Sequence, residues 1–174
     1  VGEHFIDEPS KQKNIVNFYL DSQAKAFEGA LKAIREAEYI ILGPGDIYTT
    51  ILPNLLVEGV REEIYKSKAK LIYISNLMSK IGQTREKSQK DIVELMEKYI
   101  GRDIDIILVN KGRIPEEAFE RYKKDGESLL KDDLKDGCGR EVVRADFVAS
   151  NTIKKDKGDK LVRSLVRHDG DKLA

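Results

Sequence analysis

Apolar positions along this chain alternate between two rhythms. Short continuous runs at 39–42 (YIIL), 70–75 (KLIYIS) and 104–109 (IDIILV) read as buried strands. The first is ended by Gly-Pro-Gly and has the look of a parallel strand covered on both faces. Between the runs the period is helical. Phe27, Ala30, Leu31 and Ile34 predict a helix over about 23–36, Val60 and Ile64 one over 59–67, and Ile92, Val93, Met96 and Ile100 one over 88–100. Pro115 suits the first turn of a further helix, with Glu116 and Glu117 at its positive end and Ala118, Phe119 and Tyr122 on its inner face.

The flanks are less regular. Residues 14–20 (NIVNFYL), rich in β-branched and aromatic types, read as a strand, and 141–145 (EVVRA) as another. The charged, glycine-bearing stretch 124–140 reads as an exposed loop or short insertion, and 153–160 as a solvated loop. Residues 161–167 are a last strand or a helix start, and 171–174 look like a helix beginning. Strands alternating with helices predict one α/β domain over 1–174, its sheet mostly parallel with helices on both faces.

Charge narrows the function classes. The 31 basic and 31 acidic residues balance, so no global field draws nucleic acid or an anionic membrane surface. No apolar run reaches the length of a membrane span, and a single cysteine, Cys138, fits a reducing, cytoplasmic setting. Between Gly137 and Gly139, that cysteine reads as an incidental loop residue.

Ligands of open α/β sheets bind beyond the carboxyl ends of the strands, which directs attention to three segments. The first is Gly43-Pro44-Gly45-Asp46-Ile47-Tyr48-Thr49-Thr50, where glycines admit close backbone approach and hydroxyls offer donors. It is either a phosphate cradle or simply a tight turn, with equal weight on each. Asp46 counts against a bare phosphate; it would hold a sugar hydroxyl, or Mg²⁺ bridging to a diphosphate. The second runs from Asn76 to Thr84, and the third is Asn110-Lys111-Gly112-Arg113, where Asn110 reads as a loop cap. In Arg167-His168-Asp169, Arg167 as a ligand-binding cation is favoured over a His–Asp pair, and Tyr122 reads first as core. No GxGxxG, Walker loop, Cys/His metal cluster or GxSxG is present, and no nucleophile is identified.

The segment GPGDIYTTILPNLLVEGVREEI resembles a hallmark, roughly GPGSLYTSILPNLLVPGI, of the YvcK branch of the CofD-like family. AIREAEYIILGPG, ISNLMSKIGQT, DIILVN and RHD before KLA follow in the same order. The resemblance implies a Rossmann-like fold of which this chain is the C-terminal portion, the first half carrying a GGGTG-like loop. It further implies a gluconeogenesis factor that binds a UDP-sugar such as UDP-N-acetylglucosamine and regulates carbon metabolism and cell-wall or cell-shape processes. Ligand contacts would come from Gly43, Gly45, Tyr48, Thr49, Asn54, Asn76, Tyr122 and Arg167; Asp46 joins them on its own chemistry, as a ligand contact and the candidate for a metal. The second reading is the family's other branch, a Mg²⁺-dependent transferase that moves a phospholactyl group to a deazaflavin alcohol. A third is an α/β domain whose exposed sheet edge mediates homo-oligomerisation. Three departures stand out: Asp46 replaces a usual Ser, Gln83 the Glu of a Gly-Glu-Thr, and Ile92 a common His.

Overall fold

The computed structural model describes residues 15, 17–137, 139–150 and 165–174. Helix α1 (Glu28–Glu36) leads into strand β1 (Tyr39–Leu42), followed by a π-helical turn (Ile47–Ile51) that runs on as α2 (Leu52–Leu55). Then come α3 (Val60–Lys66), β2 (Lys70–Ile74), α4 (Gln89–Ile100) and β3 (Ile106–Asn110). Helix α5 (Glu116–Lys124), β4 (Glu141–Ala145) and the short α6 (Gly170–Leu173) complete the order. The strands form one sheet in the order β1-β2-β3-β4, every neighbour parallel. The parallel α/β sheet expected from the alternation is therefore present.

Parallel pairing sets equivalent residues side by side on one face. Leu42, Tyr73, Ile107 and Val142 stand in one row across the sheet. All four are buried in the main core with Ile92, Val93, Met96 and Ile100 of α4, and with Leu52 and Leu55 of α2. Helix α4 owes its bounds to local chemistry. Ser88 and Asp91 cap each other's backbone amides at its start, and Gly101 closes it with φ 89°. Ile92, where the resemblance places a histidine, is fully buried under the sheet.

The opposite face carries the row Ile41, Ile72 and Ile106, and beside it Leu108 and Val143. None of these five belongs to either apolar cluster, and Ile41 is 60% exposed. Among the described residues the double cover expected at 39–42 is not found at Ile41, because the helices that build the main core lie against the other row. Helix α5 contributes Ala118 to a smaller cluster with Met78, Ile114, Val148 and Val166.

Beyond Lys124, the last residue of α5, the described residues of 124–140 form no helix or strand, yet Leu130 and Leu134 reach into the main core. Its charges are fastened too: Arg144 and Lys111 both pair with Asp132. Among 15 and 17–20 there is no strand; Phe18 instead places its ring edge-on to Tyr48 and Tyr99. Residues 153–160 lie outside the described residues, as do Cys138 and all of 161–167 but its last three residues.

Candidate functional site

Strand β1 ends at Gly43, whose φ of 79° suits glycine, and an added Cβ there would lie 3.0 Å from the Ile74 carbonyl oxygen. The chain is thereby pulled against the end of β2. Asn76, just past β2, grips the next turn from the side. Its Oδ1 accepts from the Gly45 N–H at 3.1 Å and its Nδ2 donates to the Gly45 carbonyl at 3.0 Å. A side-chain amide here takes the place of a β-ladder partner, joining the two strand ends beyond the last ladder bond.

The grip continues along the loop. Gln83 is buried; its Oε1 accepts from the Tyr48 N–H at 2.9 Å, and its Nε2 donates to Thr49 Oγ1 at 3.2 Å. Lys80 Nζ donates to Asp46 Oδ2 at 2.5 Å. The gripping loop is braced in turn: the Lys80 N–H donates to Thr84 Oγ1 and the Thr84 N–H to the Lys80 carbonyl. Ser79 and Ser128 exchange backbone and hydroxyl bonds that dock residues 125–129 alongside.

Two titratable groups near these loops have displaced pKa values. Burial pushes the Glu127 carboxyl up to about 7; Asp125 and Asp46 push in the same direction and Lys80 opposes them. His168 Nε2 lies 3.1 Å from the Ser75 carbonyl oxygen, an acceptor only, so Nε2 carries the proton and donates. Burial lowers the His168 pKa, the backbone contact opposing it.

These contacts sort the candidate residues. Gly43, Gly45, Asp46, Thr49 and Asn76 gather at the ends of β1 and β2, with Lys80, Gln83 and His168 around them. Tyr48 is part of the same loop, but its ring is buried against Phe18. Asn54 is exposed on α2 and bonds the Thr50 carbonyl one turn back. Tyr122 stands in the smaller cluster, its hydroxyl accepting from the Leu165 and Val166 amides. Arg167 is exposed, and its carbonyl accepts from the Ala149 N–H. Its neighbour His168 is the one that reaches the end of β2. Asn110 closes its loop through Gly112 and Phe147, as read.

Lys80 is not legible as the partner of Asp46 from spacing. The segment holding Lys80 was a candidate, but nothing in it says that its cation reaches back 34 positions.

The sequence profile of the CofD family, described as 2-phospho-L-lactate transferase CofD, matches residues 1–148. A Thermotoga maritima protein is 37% identical over 176 residues, covering 99% of this chain and 54% of its own length. A Bacillus subtilis protein named gluconeogenesis factor is 36% identical over 176 residues, covering 99% of this chain and 52% of its own. The crystal structure of a UPF0052-family protein from Bacillus halodurans superposes with a TM-score of 0.71 at 29% identity. That superposition covers 86% of this chain and 45% of the other. The chain spans about half the length of the curated relatives it matches.

Proposed function

This chain belongs to the CofD family, and from that premise we propose that the crevice beyond β1 and β2 binds a nucleotide sugar of the UDP-N-acetylglucosamine type. The protein is then a gluconeogenesis-factor-type regulator of carbon metabolism and cell shape, acting by binding rather than turnover. The observation that carries this reading is the fixing of the 43–49 backbone by the chain's own side chains. Asn76 and Gln83 spend their side-chain amides on that loop, so its backbone groups and the Asp46 and Lys80 side chains are presented in one geometry. A rigid site at a strand-end crevice loses little entropy on binding.

The residues at the crevice favour binding over group transfer. His168 donates to a carbonyl, and the Asn76 and Gln83 amides are committed to the loop. Asp46 is ion-paired. None of Asn76, Gln83 and Asp46 stands ready to take a proton from an attacking hydroxyl.

Isothermal titration with UDP-N-acetylglucosamine, followed by chromatography of the nucleotide, tests the reading. Micromolar binding with the sugar nucleotide recovered intact is the expected result. No affinity for any UDP-sugar, together with consumption of a nucleotide-activated phospholactate, would replace it with the transferase.

A further inference from the structure

In Arg167-His168-Asp169 the histidine is the residue that meets a strand end, and one of its ring nitrogens has no partner among the described residues. Segment 167–169 lies antiparallel against 147–149. The Ala149 N–H donates to the Arg167 carbonyl at 2.9 Å and the Asp169 N–H to the Phe147 carbonyl at 2.8 Å. That pairing fixes the backbone on both sides of His168 while its ring reaches the carboxyl end of β2, where Nε2 donates to the Ser75 carbonyl at 3.1 Å. The anchor is itself held. Ser75 is buried, its N–H donates to the Leu108 carbonyl at 3.0 Å, and its hydroxyl donates to Gln89 Oε1 at 2.7 Å.

A neutral imidazole carries one proton, so a ring that donates through Nε2 has a bare lone pair on Nδ1. Burial keeps His168 on the neutral side by lowering its pKa from the ordinary 6.5. Nδ1 is not sealed in either: among the described residues the buried side-chain polar atom without a hydrogen bond is the Tyr73 hydroxyl. Ligation of a metal is one use of such a nitrogen, and it needs companions. No group of three or more His, Cys, Asp or Glu able to hold a metal occurs among the described residues. The partner that fits Nδ1 is a hydrogen-bond donor.

We propose that His168 reads a hydroxyl of the nucleotide sugar: anchored through Nε2, it presents Nδ1 as a fixed acceptor. The inference rests on the nucleotide-sugar reading above and adds an orientation to it. A lone pair repels phosphate oxygens, so the polyhydroxylated part of the ligand faces His168 and the diphosphate lies elsewhere along the strand ends. Ser75 directly precedes Asn76, whose amide holds Gly45, so His168 and the fixed loop are tied to the same strand end. A ring held through its backbone and through Nε2 loses little freedom on binding.

Nitrogen-15 NMR reads the two ring nitrogens directly, and the chain has two histidines, His4 and His168, to tell apart. Wild type is titrated with UDP-N-acetylglucosamine and, separately, with inorganic pyrophosphate. Affinities of wild type and His168→Gln are measured by isothermal titration, and urea unfolding checks both folds. Free His168 should be a neutral ring with its proton on Nε2. The sugar nucleotide should move the Nδ1 resonance upfield, as an accepted hydrogen bond does, with Nε2 still protonated; pyrophosphate should leave it in place. His168→Gln keeps an N–H for the Ser75 carbonyl and places no acceptor where Nδ1 stood. It should unfold near the wild-type midpoint yet bind about three- to tenfold more weakly. Sugar-nucleotide binding with an unmoved Nδ1 resonance overturns the proposal and leaves the nucleotide-sugar reading standing. So does binding that protonates Nδ1, which would make His168 a phosphate-facing cation, and so does wild-type affinity in a folded His168→Gln. If the glutamine variant does not fold, the wild-type resonances decide. A wild type that binds no UDP-sugar removes the nucleotide-sugar reading, and this inference with it.

Discussion

Replacing Gln83 by leucine removes the clamp on the site loop while nearly conserving side-chain volume, so the cavity contribution stays small. Gln83 is only 3% exposed. The Tyr48 amide, which donates to its Oε1 at 2.9 Å, would face leucine carbons with no route to water. An orphaned buried donor costs about 1–3 kcal/mol. The Thr49 hydroxyl, which accepts from Nε2 at 3.2 Å, is partly exposed and can turn to solvent, adding under about 1 kcal/mol. The expected loss is therefore about 2–3 kcal/mol, or a Tm lower by about 4–10 °C in a domain of this size. Urea unfolding should show a lower midpoint at unchanged slope. Gln83→Glu keeps an acceptor for the Tyr48 amide and lets the Thr49 hydroxyl donate, so it should lose under about 1 kcal/mol near pH 7. A Gln83→Leu protein within about 0.5 kcal/mol of wild type would show that the loop is not held through Gln83. The preorganisation behind the proposed function would fall with it.

Glu127 gives a pH dependence of opposite sign to that of a salt-bridged carboxylate. Its folded pKa, about 7, lies above the ordinary value of 4.5, so its cost is absent below about pH 4.5, grows as pH rises to 7, and is complete above. Glu127→Gln should therefore stabilise at pH 8 by about 1 kcal/mol, after discounting for partial solvent screening, and be neutral at pH 4; equal shifts at both pH values would contradict this. Tyr73 has a fully buried hydroxyl that makes no hydrogen bond of good geometry among the described residues, with the Asn76 backbone amide beside it. Tyr73→Phe should leave stability unchanged or raise it by up to about 1 kcal/mol in the same urea assay, and a loss above about 1 kcal/mol would reveal a partner. The two sheet faces should also differ. Leu42→Ala, in the main core, should cost about 2–4 kcal/mol, whereas Ile41→Ala, 60% exposed, should cost under about 1. Similar losses at both positions would mean that the second face is covered in solution.

The sequence alone determined the element types and the class of fold. The runs at 39–42, 70–75 and 104–109 and the period of Ile92, Val93, Met96 and Ile100 are local signals, set by 2.0- and 3.6-residue geometry, and they survived folding. It also placed the turn after β1, because a strand ending in Gly-Pro-Gly fixes where the chain must turn. Composition misled at 17–20, where Phe18 serves ring packing against Tyr48 and Tyr99 rather than a ladder. The tertiary structure decided what each polar side chain at the crevice does. Asn76 holds Gly45 from 31 positions away, Gln83 holds Tyr48 from 35, and Lys80 meets Asp46 across 34. Each of these pairs is made by laying β2 beside β1, and neither loop carries a local pattern that names its partner. That His168 and not Arg167 meets the end of β2 has the same origin: adjacent residues on an extended segment point oppositely, and the register of 168 against 148 brings the imidazole there.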